Sequence, residues 1–259
     1  MTTTNTPNNF IATDWKAVFD VNQLSTLPSV WQKAGTMELV DKPNQQGQGY
    51  SVVGTLLLER PNQTPQRIYV KKQQNYTVWR WHHGWWRKRL LCEAEFDAYR
   101  AYHALSIPTL TPIYFGKSLE KNQERAILIT VSLDDYTDIN TWRDKTHPAL
   151  QQRRCMIQQV ATLIKTLHDK GWMHYSLYPK HIFVSTRLND EPVRLIDLEK
   201  TRRFLWRNQA IQRDLGTLYR RAIATDWTHR DAWCFLKAYC HQDKKAAKQL
   251  WRKFRIKID

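Results

Sequence analysis

The sequence predicts an α+β protein of two lobes, a small β-rich N-terminal lobe and a mainly helical C-terminal lobe. Three observations predict it. Short extended runs crowd the first half, at 36–40, 50–58 and 66–72, separated by the turn signals KPNQQGQG and RPNQTP. Apolar residues at the 3.6-residue period dominate the second half. One hairpin, entered through a histidine-containing loop between Gly171 and Asp197, interrupts that helical half.

Each element has its own justification. The polar, uncharged start MTTTNTPNNF makes 1–13 a disordered tip; 14–131 then form the N-lobe and 132–259 the C-lobe, with the break near 132–138. The stretch 28–72 reads as strand-rich. A helix is predicted over 90–105, because Leu91, Ala94, Ala98, Ala101, Tyr102 and Leu105 share one face before Ser106-Ile107-Pro108 stops it. Two more strands follow at 113–116 and 125–131. A second helix over 147–170 carries the stripe Ile157, Val160, Ala161, Ile164 and Leu167 and ends at Gly171. After Asp197 the pattern is helical, with Trp233, Phe235, Leu236 and Tyr239 as its apolar mass.

Composition excludes several classes. No run approaches the ~20 apolar residues of a membrane-spanning helix, and the N-terminus lacks the basic region and apolar core of a secretory signal. The expectation is a cytoplasmic protein without a transmembrane segment. The four cysteines, Cys92, Cys155, Cys234 and Cys240, form no CxxC, which argues for reduced, mostly buried thiols over a zinc knuckle or redox pair. A net charge of +16 calls for a polyanionic partner: nucleic acid, an anionic membrane face or a phosphorylated glycolipid.

The chemistry concentrates in GWMHYSLYPKHIFVSTRLNDEPVRLID, residues 171–197. Protein kinases build the catalytic half of their site in this order: a His, the base Asp two residues on, and a metal-binding Asn seven residues after the His. Here those positions hold His174, Ser176 and His181, and the closing aspartate is Asp197. Ser176 cannot act as a base near neutral pH, because its hydroxyl does not ionise there. A loose phosphoryl-transfer transition state depends more on positioning than on the base, so slow catalysis and none both stay open. His181 is a poor magnesium ligand, since Mg²⁺ prefers oxygen; a phosphate contact or a packed polar residue are its two readings. Asp197 ends an apolar strand, where its carboxylate can hold Mg²⁺, and Glu199 is a second candidate ligand.

The cation for nucleotide phosphates is expected on strand 67–72, with Lys71 the first choice and Lys72 the second. Adjacent side chains on a strand point to opposite faces, and the sequence does not say which face is which. The matching acid is Glu95, about 70° from the middle of its helix's apolar stripe. Glu93, about 130° away, is expected to face water. Gly47-Gln48-Gly49 is the candidate phosphate-covering turn, a plain hairpin turn being the alternative.

A second constellation is Trp79, Arg80, Trp81, Trp85, Trp86, Arg87, Lys88 and Arg89, with no acidic residue between Arg67 and Glu93. Tryptophan mixed with arginine suits a membrane–water interface or an anionic glycolipid, and would also suit stacked single-stranded nucleic acid, the weaker reading. The basic run from Lys244 to Lys257 reads as a solvated helix face.

Several blocks together resemble a known family. They are Tyr69-Val-Lys-Lys-Gln73, Glu95-Phe-Asp-Ala-Tyr-Arg100 with Ile107-Pro-Thr109, Leu167-His-Asp-Lys-Gly-Trp172, His174-Tyr-Ser-Leu-Tyr-Pro-Lys-His181, Leu195-Ile-Asp-Leu-Glu-Lys200 with Arg202 and Arg203, and Asp214-Leu215 with Leu218 and Arg220. Over roughly residues 45–240 the chain resembles the lipopolysaccharide kinase (Kdo/WaaP) family, most closely its InaA-like branch. The resemblance implies a protein-kinase-like fold and ATP-dependent phosphorylation, with Mg²⁺, of a heptose or Kdo sugar in the lipopolysaccharide inner core. It implies an inner-core glycolipid or anionic membrane surface as partner. It makes Lys71 and Glu95 the nucleotide pair, Asp197 a metal ligand, and Asp214 the brace of the His174 loop. The family's core-sugar kinases carry aspartate where this chain has Ser176. The alternative is therefore a pseudokinase, a nucleotide- or partner-binding regulator in envelope or stress response.

Overall fold

A computed structural model describes residues 8–82, 85–120, 122–187 and 192–255, and the side chains of all these except 80–82, 85–87, 254 and 255. The chain divides into two compact units, Met1–Arg100 with Leu110–Ser132, and Ala101–Thr109 with Leu133–Asp259.

The first unit is built on a twisted antiparallel sheet. Its strands are β1 (Asn9–Ile11), β2 (Glu38–Leu39), β3 (Asn44–Gln46), β4 (Gly49–Arg60), β5 (Gln63–Gln74), β8 (Pro112–Glu120) and β9 (Gln123–Val131), in the order β1-β8-β9-β5-β4-β2 with β3 also on β4. A separate hairpin joins β6 (Thr77–His82) to β7 (Trp85–Leu90). Strand alternation gives the sheet two apolar faces. On one, Ile68, Val70, Tyr114, Ile127 and Ile129 pack against Val18, Phe19 and Val30 from two short helices, α1 (Lys16–Val21) and α2 (Leu27–Lys33). On the other, Phe115 stacks on Phe96 of α3 (Leu91–Ala104), ring centres 4.6 Å apart.

Three sequence expectations are corrected in this unit. Residues 9–11 of the supposed tip form a strand, because Asn9, Phe10 and Ile11 find a free sheet edge opposite Gly116, Phe115 and Tyr114; residues 1–7 lie outside the described residues. Within the stretch read as strand-rich, 27–33 is helical. Thr26 and Ser29 cap it reciprocally with Pro at its start, a signal present in the sequence. Glu93 does not face water. It is 5% exposed and pairs with Lys117 at 2.8 Å and Arg89 at 3.2 Å. The helical wheel considered α3 alone, whereas β7 and β8 supply cations on that side.

The second unit opens with β10 (Tyr136–Asp138) and α4 (Ile139–Thr146), whose N-terminus Asp138 caps through Asn140 and Thr141 N–H. The long helix α5 (Leu150–Asp169) buries every residue of the predicted stripe, from Ile157 to Leu167. Two short strands, β11 (Trp172–Met173) and β14 (Arg202–Arg203), pair with each other. Between them β12 (Ile182–Ser185) and β13 (Val193–Leu195) form the expected hairpin, which β10 extends to three strands. Helices α6 (Arg207–Ile223), α7 (His229–Tyr239) and α8 (Lys244–Arg255) complete it. Trp251 of α8 packs edge-on to Tyr219, His229 and Trp233, which leaves Lys244, Lys245, Lys248, Arg252 and Lys253 as an exposed basic face.

Among the cysteines only Cys92 is buried, Cys155 is exposed, and Cys234 and Cys240 are half-buried; all four are free thiols. No helix among the described residues is long and apolar enough to cross a membrane.

Candidate active site

Two half-sites emerge, one in each unit. The first depends on strand register. On β5, Lys71 lies opposite Val53 of β4 and Leu128 of β9, and Lys72 opposite Val52 and Ile127. The face carrying Lys71 and Gln73 receives α3. Gln73 Oε1 accepts from the Cys92 N–H at 2.7 Å, which satisfies an otherwise orphan donor of the first helical turn and fixes α3 on the sheet. Glu95, one turn on, meets Lys71: Lys71 Nζ donates to Glu95 Oε2 at 2.7 Å. The Tyr99 hydroxyl donates to Glu95 Oε1 at 2.7 Å, so both carboxylate oxygens are engaged in a buried setting. Lys72 turns to the other face, where it lies 4.3 Å from the Trp31 ring centre and donates to the Trp31 carbonyl at 3.3 Å. Burial first, then Arg125 nearby, pushes its ammonium below the usual lysine range. The two lysines that the sequence left open are thus separated by parity, and Glu95 pairs with Lys71.

Gly47 and Gly49 form the turn from β3 into β4. Gly47 has φ of +59°, and a Cβ on Gly49 would sit 2.3 Å from the Asn75 carbonyl oxygen. The positive φ at Gly47 and the close backbone approach at Gly49 each call for glycine in this hairpin turn.

The second half-site is the loop from His174 to Asp197. Asp214 of α6 is fully buried and accepts from the His174 N–H at 2.6 Å and the Tyr175 N–H at 2.8 Å. His168 Nε2 lies 3.2 Å from the same carboxylate, and its Nδ1 lies 2.8 Å from the Tyr239 hydroxyl. A buried carboxylate with several donors is stable where a lone one is not. His174 Nε2 sits 3.0 Å from the Ile196 carbonyl, which can only accept, so Nε2 carries the proton. Burial holds this imidazole below its usual pKa despite Asp214 and Asp197, and among the described residues its Nδ1 has no hydrogen-bond partner.

His181 bridges the loop to the metal candidate. Its Nδ1 is 2.9 Å from the Ser176 carbonyl and its Nε2 is 3.2 Å from Asp197 Oδ2. Asp197 takes a left-handed backbone conformation, φ 59°, at the start of the short turn Leu198–Lys200 that carries Glu199. Among the described residues no three His, Cys, Asp or Glu side chains converge to hold a metal ion, so Glu199 does not join His181 and Asp197 as a third ligand. The Asp197 carboxylate suits Mg²⁺; the His181 nitrogen does not, because that ion demands oxygen donors. Ser176 is 5% exposed at the position the kinase pattern gives to aspartate.

The loop also carries a cationic rim that the sequence did not reveal. The guanidiniums of Arg202 and Arg213 each lie 3.7 Å from the Tyr175 ring centre, and that of Arg221 lies 5.1 Å from Tyr178. Burial opposes ionisation of Tyr175, but hydrogen bonding and charge from Arg202 and Arg213 together hold its hydroxyl below the usual tyrosine range. Among the described residues neither Arg202 nor Arg213 pairs with a carboxylate. The spacing of Arg213 and Arg221, eight residues apart on one helix face, is the one sequence signal that could have found the rim.

The Trp/Arg segment divides differently from expectation. Trp79 is 66% exposed and Lys88 is exposed. Arg89, expected to meet an anionic surface, is instead buried and pairs with Asp97 at 2.6 Å and with Glu93. An arginine desolvated between two carboxylates is committed to the fold. The side chains of Arg80, Trp81, Trp85, Trp86 and Arg87 lie outside the described residues.

Comparison with known proteins bears on the family and the fold. The model of the lipopolysaccharide kinase (Kdo/WaaP) family matches residues 29–239. Protein InaA of Escherichia coli (strain K12) is 28% identical over 192 residues, 73% of this chain and 84% of that one. The lipopolysaccharide core heptose(I) kinase WaaP of Pseudomonas aeruginosa is 26% identical over 162 residues, 56% of this chain and 58% of the relative. Among solved structures, WaaP in complex with acyl carrier protein superposes with a TM-score of 0.62 at 20% identity, covering 95% of this chain and 98% of the other. That likeness establishes an α+β, protein-kinase-like fold.

Proposed function

As the chain belongs to the lipopolysaccharide kinase (Kdo/WaaP) family, we propose that it is an ATP-dependent phosphotransferase acting on a heptose or Kdo sugar of the lipopolysaccharide inner core. The observation that carries the reading is the Lys71–Glu95 pair, 2.7 Å long and locked by Tyr99. Phosphoryl transfer is mostly positioning and charge stabilisation. Lys71, oriented by Glu95, supplies the cation for the nucleotide phosphates. Asp197 would hold the divalent ion, whose chemistry when bound is to neutralise charge developing on the phosphates. Asp214 fixes the backbone at His174 and Tyr175, and His181 fixes the carbonyl of Ser176, so the acceptor loop is set before substrate arrives. Arg202, Arg213 and Arg221 receive the anionic acceptor. The hydroxyl of Ser176 can position an acceptor by hydrogen bonding but takes no proton from it at neutral pH.

A second reading, a pseudokinase that binds nucleotide or a partner, is favoured by Ser176 alone. The test is calorimetric ATP binding with and without divalent ion, followed by turnover with purified inner-core glycolipid. The enzyme reading expects binding that needs the ion and phosphate transfer that needs the glycolipid. Binding without transfer supports the second reading, and no ATP binding removes the enzyme reading and leaves the second only as a partner-binding protein.

A further inference from the structure

The ring of His181 is held in one tautomer. Its Nδ1 lies 2.9 Å from the Ser176 carbonyl oxygen, which cannot donate, so Nδ1 carries the proton. On the neutral ring this leaves a bare lone pair on Nε2, and 3.2 Å from it lies Oδ2 of Asp197, also an acceptor. Either a proton on Nε2 or a shared metal ion can join the two atoms, and the separation suits both. Two donors bound about 2.1 Å from one ion at right angles are about 3 Å apart, close to the separation here. Asp197 is 32% exposed, so water reaches the pair.

We propose that His181 and Asp197 together hold a nitrogen-accepting divalent ion of the manganese class in preference to magnesium. This rests on the reading that places the ion at Asp197. The preference follows from the donor set. Magnesium binds oxygen almost exclusively, whereas later first-row ions accept imidazole with increasing affinity. Manganese also keeps magnesium's taste for oxygen donors, which suits a site that takes one carboxylate and one imidazole. With no third protein ligand converging among the described residues, water or phosphate oxygens complete the coordination.

The test uses the full chain without nucleotide and Mn²⁺ as the probe. Electron paramagnetic resonance counts bound Mn²⁺, Mg²⁺ serves as competitor, and the pulsed experiment detects modulation by a directly bound ¹⁴N. Wild type is expected to bind one Mn²⁺ with imidazole nitrogen modulation. His181→Asn should abolish the modulation and shift the Mn²⁺/Mg²⁺ preference toward magnesium about tenfold. Asp197→Asn should remove the bound Mn²⁺. Absence of nitrogen modulation in the wild type overturns the proposal whatever the variants do, and so does modulation that survives His181→Asn or an unchanged preference ratio. No readout involves turnover. Mn²⁺ found on His181 in a protein that phosphorylates nothing would therefore sink the kinase reading and leave the metal assignment standing.

Discussion

The two half-sites answer to the kinase pattern in different ways. On the strand side Lys71 and Glu95 match it residue for residue and meet at 2.7 Å. On the loop side the frame is complete, with Asp214 bracing His174 and Tyr175 and Asp197 closing the hairpin. Yet two of its reactive positions carry Ser176 and His181 in place of aspartate and asparagine. The difference teaches that frame and reactive group are separable. Backbone donors, a buried carboxylate and a tautomer-locked imidazole hold the loop's shape, and none of them requires a base at position 176.

The comparison can be broken most forcefully at Ser176. If the loop is an intact frame lacking one group, Ser176→Asp should raise glycolipid-dependent ATP turnover by ~10²–10⁴-fold, the usual contribution of a positioned base. Unchanged turnover, with ATP still bound, would mean that more than the base is missing. Brisk wild-type turnover slowed by the substitution would mean that another group does this work.

The frame itself is tested at Asp214. Removing its carboxylate by Asp214→Ala strands the His174 and Tyr175 N–H groups and the His168 ring in the core. The expected loss is about 3 kcal/mol or more of unfolding free energy in a urea titration. A loss below about 1 kcal/mol would show that the loop is held otherwise.

On the strand side, Lys71→Ala should weaken ATP binding by about 1.5–3 kcal/mol, the worth of a charge-assisted phosphate contact. Lys72→Ala should leave ATP binding unchanged, since Lys72 stacks on Trp31 on the opposite face. Calorimetry on both variants reads this directly, and a reversed result would exchange their roles.

The smallest effect is expected at the rim. Arg202→Gln with Arg213→Gln should weaken binding to lipopolysaccharide or anionic vesicles by about 1 kcal/mol per charge and flatten its salt dependence. Lys88→Gln, on the tryptophan hairpin, is the control that asks whether the expected surface contributes as well. Cosedimentation at several salt concentrations distinguishes the two.

What could be read from the sequence follows from how local each signal is. The stripe of α5 was legible because one helix face buries it. The hairpin from His174 to Asp197 was legible because its turn, strand and aspartate are contiguous. Lys71 could not be told from Lys72 without strand register, which only the partners β4 and β9 supply. Glu93 was misread because its partners, Lys117 and Arg89, come from strands that a single-helix projection does not contain, and Arg89 because its partners, Glu93 and Asp97, lie on the helix that follows it. The rim escaped for the same reason: Tyr175 and Arg213 are brought together only by the packing of α6 on the loop.

The link from Asp214 through His168 to the Tyr239 hydroxyl has a consequence for biosynthesis. Tyr239 lies 71 residues beyond His168, near the end of α7. A ribosome that has released the loop but not yet α7 presents a hairpin whose bracing imidazole lacks one of its two anchors. That second anchor of His168 therefore forms only once α7 has emerged, and chains stalled before it should be cut more readily by proteases than chains stalled after it.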